Sequence, residues 1–278
     1  MNRAARGASF LPVTTAFERS EADAFLALVN AADPDVRRRH DVEATTIGGV
    51  AVLSRPGPDM AFWCQAVGFE APPAAGLIEE IVGHYRARGV ELARFILPPW
   101  AETPEWPAIA AKYGMVAGGG GLKLASTSPS STPSTPSTSS LRTARVGLDD
   151  AERWATLMWG IFGMGSEADV ELAVAALRRP EFEAYACWDG DEMVATGLVR
   201  LSPASAHLFS GATLPAYRGR GAQSALITAR VEAARRSGCP MLVAETGVAP
   251  DGYNDSARNL MRAGFIPQYE RRTWIWSA

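Results

Sequence analysis

Ala212–Leu226 reads ATLPAYRGRGAQSAL, and the reading of this stretch decides the fold. An apolar strand pattern over His207–Thr213 runs into a loop with two glycines and two arginines. A helix pattern follows over Gln223–Ser237, with Ile227, Val231 and Ala234 on one face at i, i+4 and i+7. Gly238 can end that helix in a left-handed conformation. A helix N-terminus has backbone N–H groups without intrahelical partners and a partial positive charge. Gly219 and Gly221 let the backbone approach an anion closely, and Ser224 adds a hydroxyl in the first turn. Together these parts form a cradle for a pyrophosphate. Arg218 and Arg220 add charge, unless one of them is simply solvated. Neither GxxxxGK[ST] nor GxGxxG occurs, so this is not a nucleoside-triphosphatase P-loop or a Rossmann dinucleotide site. Arg-Gly pairs also occur in RNA-binding tails, but this one is single and lies between strand and helix patterns.

Working outward, the spacing predicts a strand at Met241–Thr246 and a helix from Asn254 to Ala263-Gly264-Phe265. Upstream it predicts strands at Tyr185–Trp188 and Met193–Leu201, joined by an Asp189-Gly190 hairpin turn. The first half repeats the order. Strands at Gly49–Ser54 and Met60–Phe69 precede a helix over Gly76–Arg88 that Gly89 stops. A strand at Leu92–Leu97 follows, then a helix near Pro107–Lys112 that ends in Tyr113-Gly114-Met115. Agreement in order, lengths and stop signals indicates an internal duplication. Coincidence is the other reading, because strand-helix-strand order is common. Ser126–Ser140, STSPSSTPSTPSTSS, has nothing to bury and reads as a linker. A glycosylated stalk is the alternative for such composition. The chain therefore divides into residues 1–125, a linker at 126–140, and residues 141–278.

Of 278 residues, 47% are hydrophobic and 21% charged, which suits globular domains with real cores. The net charge of −3 provides no field for nucleic acid or an anionic membrane, so neither is expected as a partner. Cys64, Cys187 and Cys239 are an odd, widely spaced set, which argues against a disulfide framework or a zinc site. No metal is expected. The N-terminus lacks the apolar core of a signal peptide, and no run approaches a membrane span. A cytoplasmic location is the simplest expectation.

Two motifs together resemble the GNAT superfamily of N-acetyltransferases. The first is Arg218-Gly219-Arg220-Gly221-Ala222-Gln223 after Thr213-Leu214-Pro215, similar to the family's [QR]-x-x-G-x-[GA] between its fourth strand and third helix. Gln223 stands where Gly or Ala is usual. The second is Asn254-Asp255-Ser256-Ala257-Arg258-Asn259-Leu260-Met261-Arg262-Ala263-Gly264-Phe265, similar to the family's C-terminal helix and its Gly-Phe ending. The resemblance covers Leu141–Ala278 and reaches the first half by topology only. It implies an α/β fold of two tandem GNAT-like domains, each a mixed, mostly antiparallel sheet flanked by helices. It implies acetyl-CoA as cofactor, held by Ala212, Thr213, Leu214, Arg218, Gly219, Arg220, Gly221, Ala222, Gln223, Ser224, Asn254 and Asn259. Asn254 would contact the pantetheine or phosphate arm. In the first half the cradle position reads Phe69-Glu70-Ala71-Pro72-Pro73-Ala74-Ala75-Gly76. Two prolines remove donors and Glu70 repels phosphate, so that copy is expected to be degenerate.

Transfer of an acetyl group to an amine needs a route for proton loss and a donor for the developing oxyanion. The resemblance places that donor at a backbone N–H around Ala212–Thr213. Glu245 is the candidate base: it shares a strand face with Met241 and Val243, where apolar neighbours should desolvate it. Alternatively it pairs with an arginine such as Arg262 or points into solvent. Asp251 and Asp255 are rivals. The family's tyrosine acid, four residues before the Gly of Gly-Phe, falls on Leu260, so Tyr253, Ser256 or water would have to protonate the thiolate. Trp154, Trp159 and Phe162 line either an acceptor pocket or the core. The expected acceptor is a small-molecule primary amine, with a peptide amine as the lesser option. A non-catalytic acyl-CoA-binding regulatory module is the alternative function.

Overall fold

The computed structural model describes residues 11–57, 62–127, 140–249 and 252–278. In chain order the elements are α1 (Leu11–Asn30), α2 (Pro34–Arg39), β1 (Glu43–Ile47), β2 (Val50–Ser54), β3 (Gln65–Val67), α3 (Ala75–Ala87), β4 (Leu92–Leu97), α4 (Trp106–Lys112), β5 (Val116–Ser126) and β6 (Arg142–Arg145). They continue with α5 (Ala151–Ile161), α6 (Glu167–Leu177), β7 (Phe182–Asp189), β8 (Glu192–Leu201), β9 (Ala206–Thr213), α7 (Ala222–Arg236), β10 (Leu242–Gly247), α8 (Asp255–Arg262) and β11 (Ile266–Ser277). Two compact units result. The first takes the chain up to Leu26, Asp41–Gly121 and Gln268–Ala278; the second takes Ala27–His40 and Leu122–Pro267. The chain thus changes unit inside α1, β5 and β11. Of the Ser/Thr/Pro segment, residues 128–139 lie outside the described residues.

Both units are α/β, each a mixed, mostly antiparallel sheet with helices. In the first, β1 pairs β2 and β2 pairs β3 antiparallel; β3 pairs β4 in parallel, and β4 pairs β11 antiparallel. In the second, β6–β7, β7–β8 and β8–β9 are antiparallel and β9–β10 is parallel. A parallel pair needs a crossover, and in each unit a helix supplies it: α3 joins β3 to β4, and α7 joins β9 to β10. The repeat read from the glycine stops therefore has a counterpart in strand pairing.

The stops themselves share one geometry. Gly89, Gly114, Gly238 and Gly264 all have φ between 65° and 90°. After each, the next residue donates back across the turn: Val90 to Tyr85, Met115 to Ala110, Cys239 to Ala234 and Phe265 to Leu260. This Schellman closure satisfies carbonyls at the end of α3, α4, α7 and α8. One strand differs from expectation. Of the stretch Met60–Phe69, residues 60–61 lie outside the described residues; the rest contributes only Gln65–Val67 to the sheet, because Phe62–Cys64 turn and Gly68, at φ +87°, ends the strand. Trp274 and Trp276 lie on β11 opposite Phe95 and Ala93, and Trp276 is buried in the first unit's core.

Candidate active site

The cradle stretch forms as strand, loop and helix in the second unit. Gly219 and Gly221 have φ of +76° and +80°, a region that strains any residue with a Cβ. Gly221 is the N-cap of α7, and no side chain caps that helix. Its first intrahelical bond runs from Ala225 N–H to Gly221 C=O, so the N–H groups of Ala222, Gln223 and Ser224 precede the ladder. A Cβ built at Gly219 meets nothing within 4 Å, so the backbone there is open to a ligand. These residues border an open cleft of about 830 Å³.

The opposite wall is β9. Its register with β8 shifts between Thr196 and Leu198: Gly197 faces two residues, Ser210 and Gly211. This is a β-bulge, and Ser210 is left-handed with φ +52°. Registered pairing of β9 with β10 stops at Ala244↔Leu208. Leu214 donates its N–H to Val194 on the β8 side at 3.0 Å. Adjacent N–H groups alternate in a strand, so the Thr213 N–H points to the other edge. Gly211, Ala212 and Thr213 all line the cleft.

Most sequence-assigned binding residues converge here. Arg218, Gly219, Gly221, Ala222, Gln223, Ser224, Asn254 and Asn259 line the cleft, together with the catalytic candidate Ser256 and with Asp255, Arg262 and Tyr217. Leu214 does not line it, and Arg220 is directed elsewhere. Arg220 pairs with Asp189 at 2.8 Å and lies over the Tyr217 ring. The pairing raises the Arg220 pKa and holds Asp189 below the usual carboxylate range. Arg218 and Arg262 are thus the cationic side chains at the cleft. Asn254 caps α8 by accepting from Ala257 N–H at 2.8 Å, and its amide donates to Gly247 C=O at 2.7 Å. It lines the cleft with its side chain already engaged. Gln223 donates to Ser256 at 2.9 Å and accepts from Asn259. The family-atypical glutamine thereby joins α7 to α8 at the cleft wall.

Glu245 lies one residue beyond the last β9–β10 pair and, like Tyr253, does not line the cleft. It is not an isolated carboxylate among apolar neighbours, and its partner is not Arg262. Lys123 donates to it at 2.7 Å, and His207 Nε2 approaches it at 3.0 Å. The Lys123 side chain is fully buried and that of Glu245 is 16% exposed. Lys123 stands 122 positions away in the chain, and no local pattern announces it. Tyr253 is 45% exposed and does not line the cleft. Leu260 is buried in the core, and Asp251 lies outside the described residues. Trp154 and Trp159 are core residues, donating to Tyr185 C=O and Asp169 C=O. Phe162 is exposed and borders the cleft with Ile161.

Residues 148–265 match the acetyltransferase (GNAT) family, so the chain carries a GNAT domain there. That family's general chemistry is acyl transfer. No curated protein matches the chain. Among solved structures, the chain is similar to a GCN5-related N-acetyltransferase from Kribbella flavida, with 16% identity and a TM-score of 0.59 over 91% of this chain and 96% of that one. It is similar to another from Sphaerobacter thermophilus, with 14% identity and a TM-score of 0.59 over 95% and 93%. A tandem GNAT protein from the clavulanic acid biosynthesis pathway has 16% identity and a TM-score of 0.55 over 94% of each chain. At these identities the likeness is one of fold, and the fold is that of tandem GNAT-like domains. Among the described residues no helix is long and apolar enough to cross a membrane.

Proposed function

We propose that this chain is an acetyl-CoA-dependent N-acetyltransferase acting on a small-molecule primary amine in the cytoplasm, with its working site in the second unit. One observation carries the reading: an uncapped helix N-terminus and a parted, bulged strand open onto the same cleft. The N–H groups of Ala222, Gln223 and Ser224, with Arg218, suit a pyrophosphate. The Thr213 N–H suits a carbonyl oxygen that gains charge during transfer. Bound there, acetyl-CoA supplies the activated acyl group.

Proton removal from the amine is assigned to Glu245, which is paired with Lys123 and does not itself line the cleft, so the proton would leave through an intervening water. Of the two hydroxyls named from the sequence, Ser256 lines the cleft and Tyr253 does not. Ser256 accepts from Gln223, which leaves its own O–H to donate to a leaving thiolate. A second reading, a non-catalytic acyl-CoA-binding regulatory module, draws on Leu260, which occupies the core where the family places a tyrosine. Calorimetry with acetyl-CoA, followed by thiol release over a panel of amines, separates the two. Turnover with any amine supports the enzyme. Tight binding without turnover across the panel supports the regulatory module, and absence of binding removes both.

A further inference from the structure

Arg230 is the one charged residue on a face of α7 otherwise built from Leu226, Ile227, Val231, Ala233 and Ala234. It is 3% exposed. Among the described residues no carboxylate pairs with it, and an uncompensated buried cation is strongly disfavoured. Burial lowers its pKa to about 10, so the group remains a cation at neutral pH. Its donors go to backbone carbonyls instead. Nε donates to Leu226 at 3.0 Å; Nη1 donates to Phe209 at 3.1 Å and to Leu198 at 3.3 Å.

Phe209 and Leu198 are the registered pair at one side of the β-bulge. The space Arg230 fills exists because Gly197 lacks a side chain: a Cβ there would lie 2.9 Å from the guanidinium carbon. Gly211, across the bulge, would bring a Cβ to 3.6 Å from Nη2. Gly211 also lines the cleft, so its backbone meets the guanidinium on one side and the ligand space on the other. Thr196 donates to the Ser210 carbonyl at 3.4 Å. The Ser210 carbonyl inside the bulge and the Leu198 and Phe209 carbonyls beside it are thus all engaged by buried side chains. One terminal nitrogen, Nη1, reaches carbonyls on both strands while Nε is held by Leu226, a set of contacts that no aliphatic side chain reproduces.

We propose that Arg230 is a positioning residue: by tying the Leu198 and Phe209 carbonyls it holds the β9 bulge in the shape that sets the Thr213 N–H against the thioester carbonyl. The inference rests on the assignment of acetyl-CoA to this cleft. It makes the acetyl group, rather than the pyrophosphate, sensitive to Arg230.

The test compares calorimetric affinities for acetyl-CoA and for CoA. Wild type should prefer acetyl-CoA. Arg230→Met should keep CoA affinity within about 2-fold and weaken acetyl-CoA by ~10-fold, the scale of one lost hydrogen bond. Arg230→Lys should fall between. If the methionine variant does not fold, Gly197→Ala displaces the guanidinium without removing its charge and should give the same selective loss. General destabilisation would weaken both ligands alike and overturn the proposal. So would a folded variant with an unchanged acetyl-CoA to CoA ratio, or a wild type without the preference. A wild type that binds neither ligand overturns the cofactor assignment itself.

Discussion

Neither α3 nor α7 has a side-chain cap, but between β9 and α7 the chain crosses through two left-handed glycines and leaves the backbone open. Between β3 and α3 the corresponding crossing runs through Pro72 and Pro73 and is closed by its own unit. Arg19 donates to the Glu70 carboxylate at 2.6 Å, and Trp100 donates to the Glu70 carbonyl at 3.2 Å. Gly68, at the end of β3, has α1 so near that a Cβ would lie 2.6 Å from that of Ala22. At Gly219 the same test meets nothing within 4 Å. Strand pairing and helix stops agree between the units while the crossing loops do not. The frame is thus set by patterned core residues, and ligand capacity is set by a handful of loop residues.

The largest effect should come from filling the open crossing. Gly221→Glu puts a Cβ at φ +80° and a carboxylate where a phosphate belongs, so CoA affinity should drop by at least ~100-fold in calorimetry, given like-charge repulsion at a helix end. Ala74→Glu, at the matching N-cap of α3, should leave it unchanged. Equal losses would mean that the first unit binds the ligand too.

A second contrast uses carboxylates paired with a buried cation. Glu245→Gln should cut turnover of acetyl-CoA with an accepted amine by ~100-fold while barely moving acetyl-CoA affinity. The deficit should shrink as pH rises toward the amine's own pKa, because free amine then forms without help. Glu21→Gln strikes the first unit, where Arg271 bridges Glu21 and Glu18 in a buried cluster. Denaturant unfolding should show a loss of roughly 3–5 kcal/mol, with cofactor affinity intact. If Glu245→Gln also costs only stability, its carboxylate is a structural partner of Lys123.

Smaller effects should follow at the cleft wall and the closed loop. Gln223→Ala removes two contacts to α8 but no backbone donor. Thermal unfolding should report a loss of about 1 kcal/mol, and CoA should still bind within a few-fold. Glu70→Lys reverses a half-exposed charge in the first unit, and CoA binding should not respond. A stoichiometry near two CoA per chain would contradict the contrast at its root.

What the sequence revealed followed local signals. Four glycine stops located α3, α4, α7 and α8, since each needs a left-handed residue at a defined place. The cradle was legible because glycine, arginine and strand-to-helix order fall within a dozen positions. α6 carries a capping box, Ser166 with Asp169, that could have announced it. β5 was not legible: the Gly118–Gly121 run offers no alternating strand pattern, and the spacing predicts no element there. Lys123 escaped because its partners are distant in sequence. Arg230 did leave a signal, as a charge in the middle of the apolar face that identified α7.

The placement of β11 bears on the order in which the protein can be finished during synthesis. Gln268–Ala278 completes the unit that opens the chain, and Arg271 meets Glu21 across 250 positions. The ribosome must therefore release the whole second unit before the first receives its closing strand. Until then Glu18 and Glu21 await their guanidinium. A nascent first unit would lack this strand until the second unit has been made, and a fragment stopping at Ala125 should fail to give a cooperative unfolding transition.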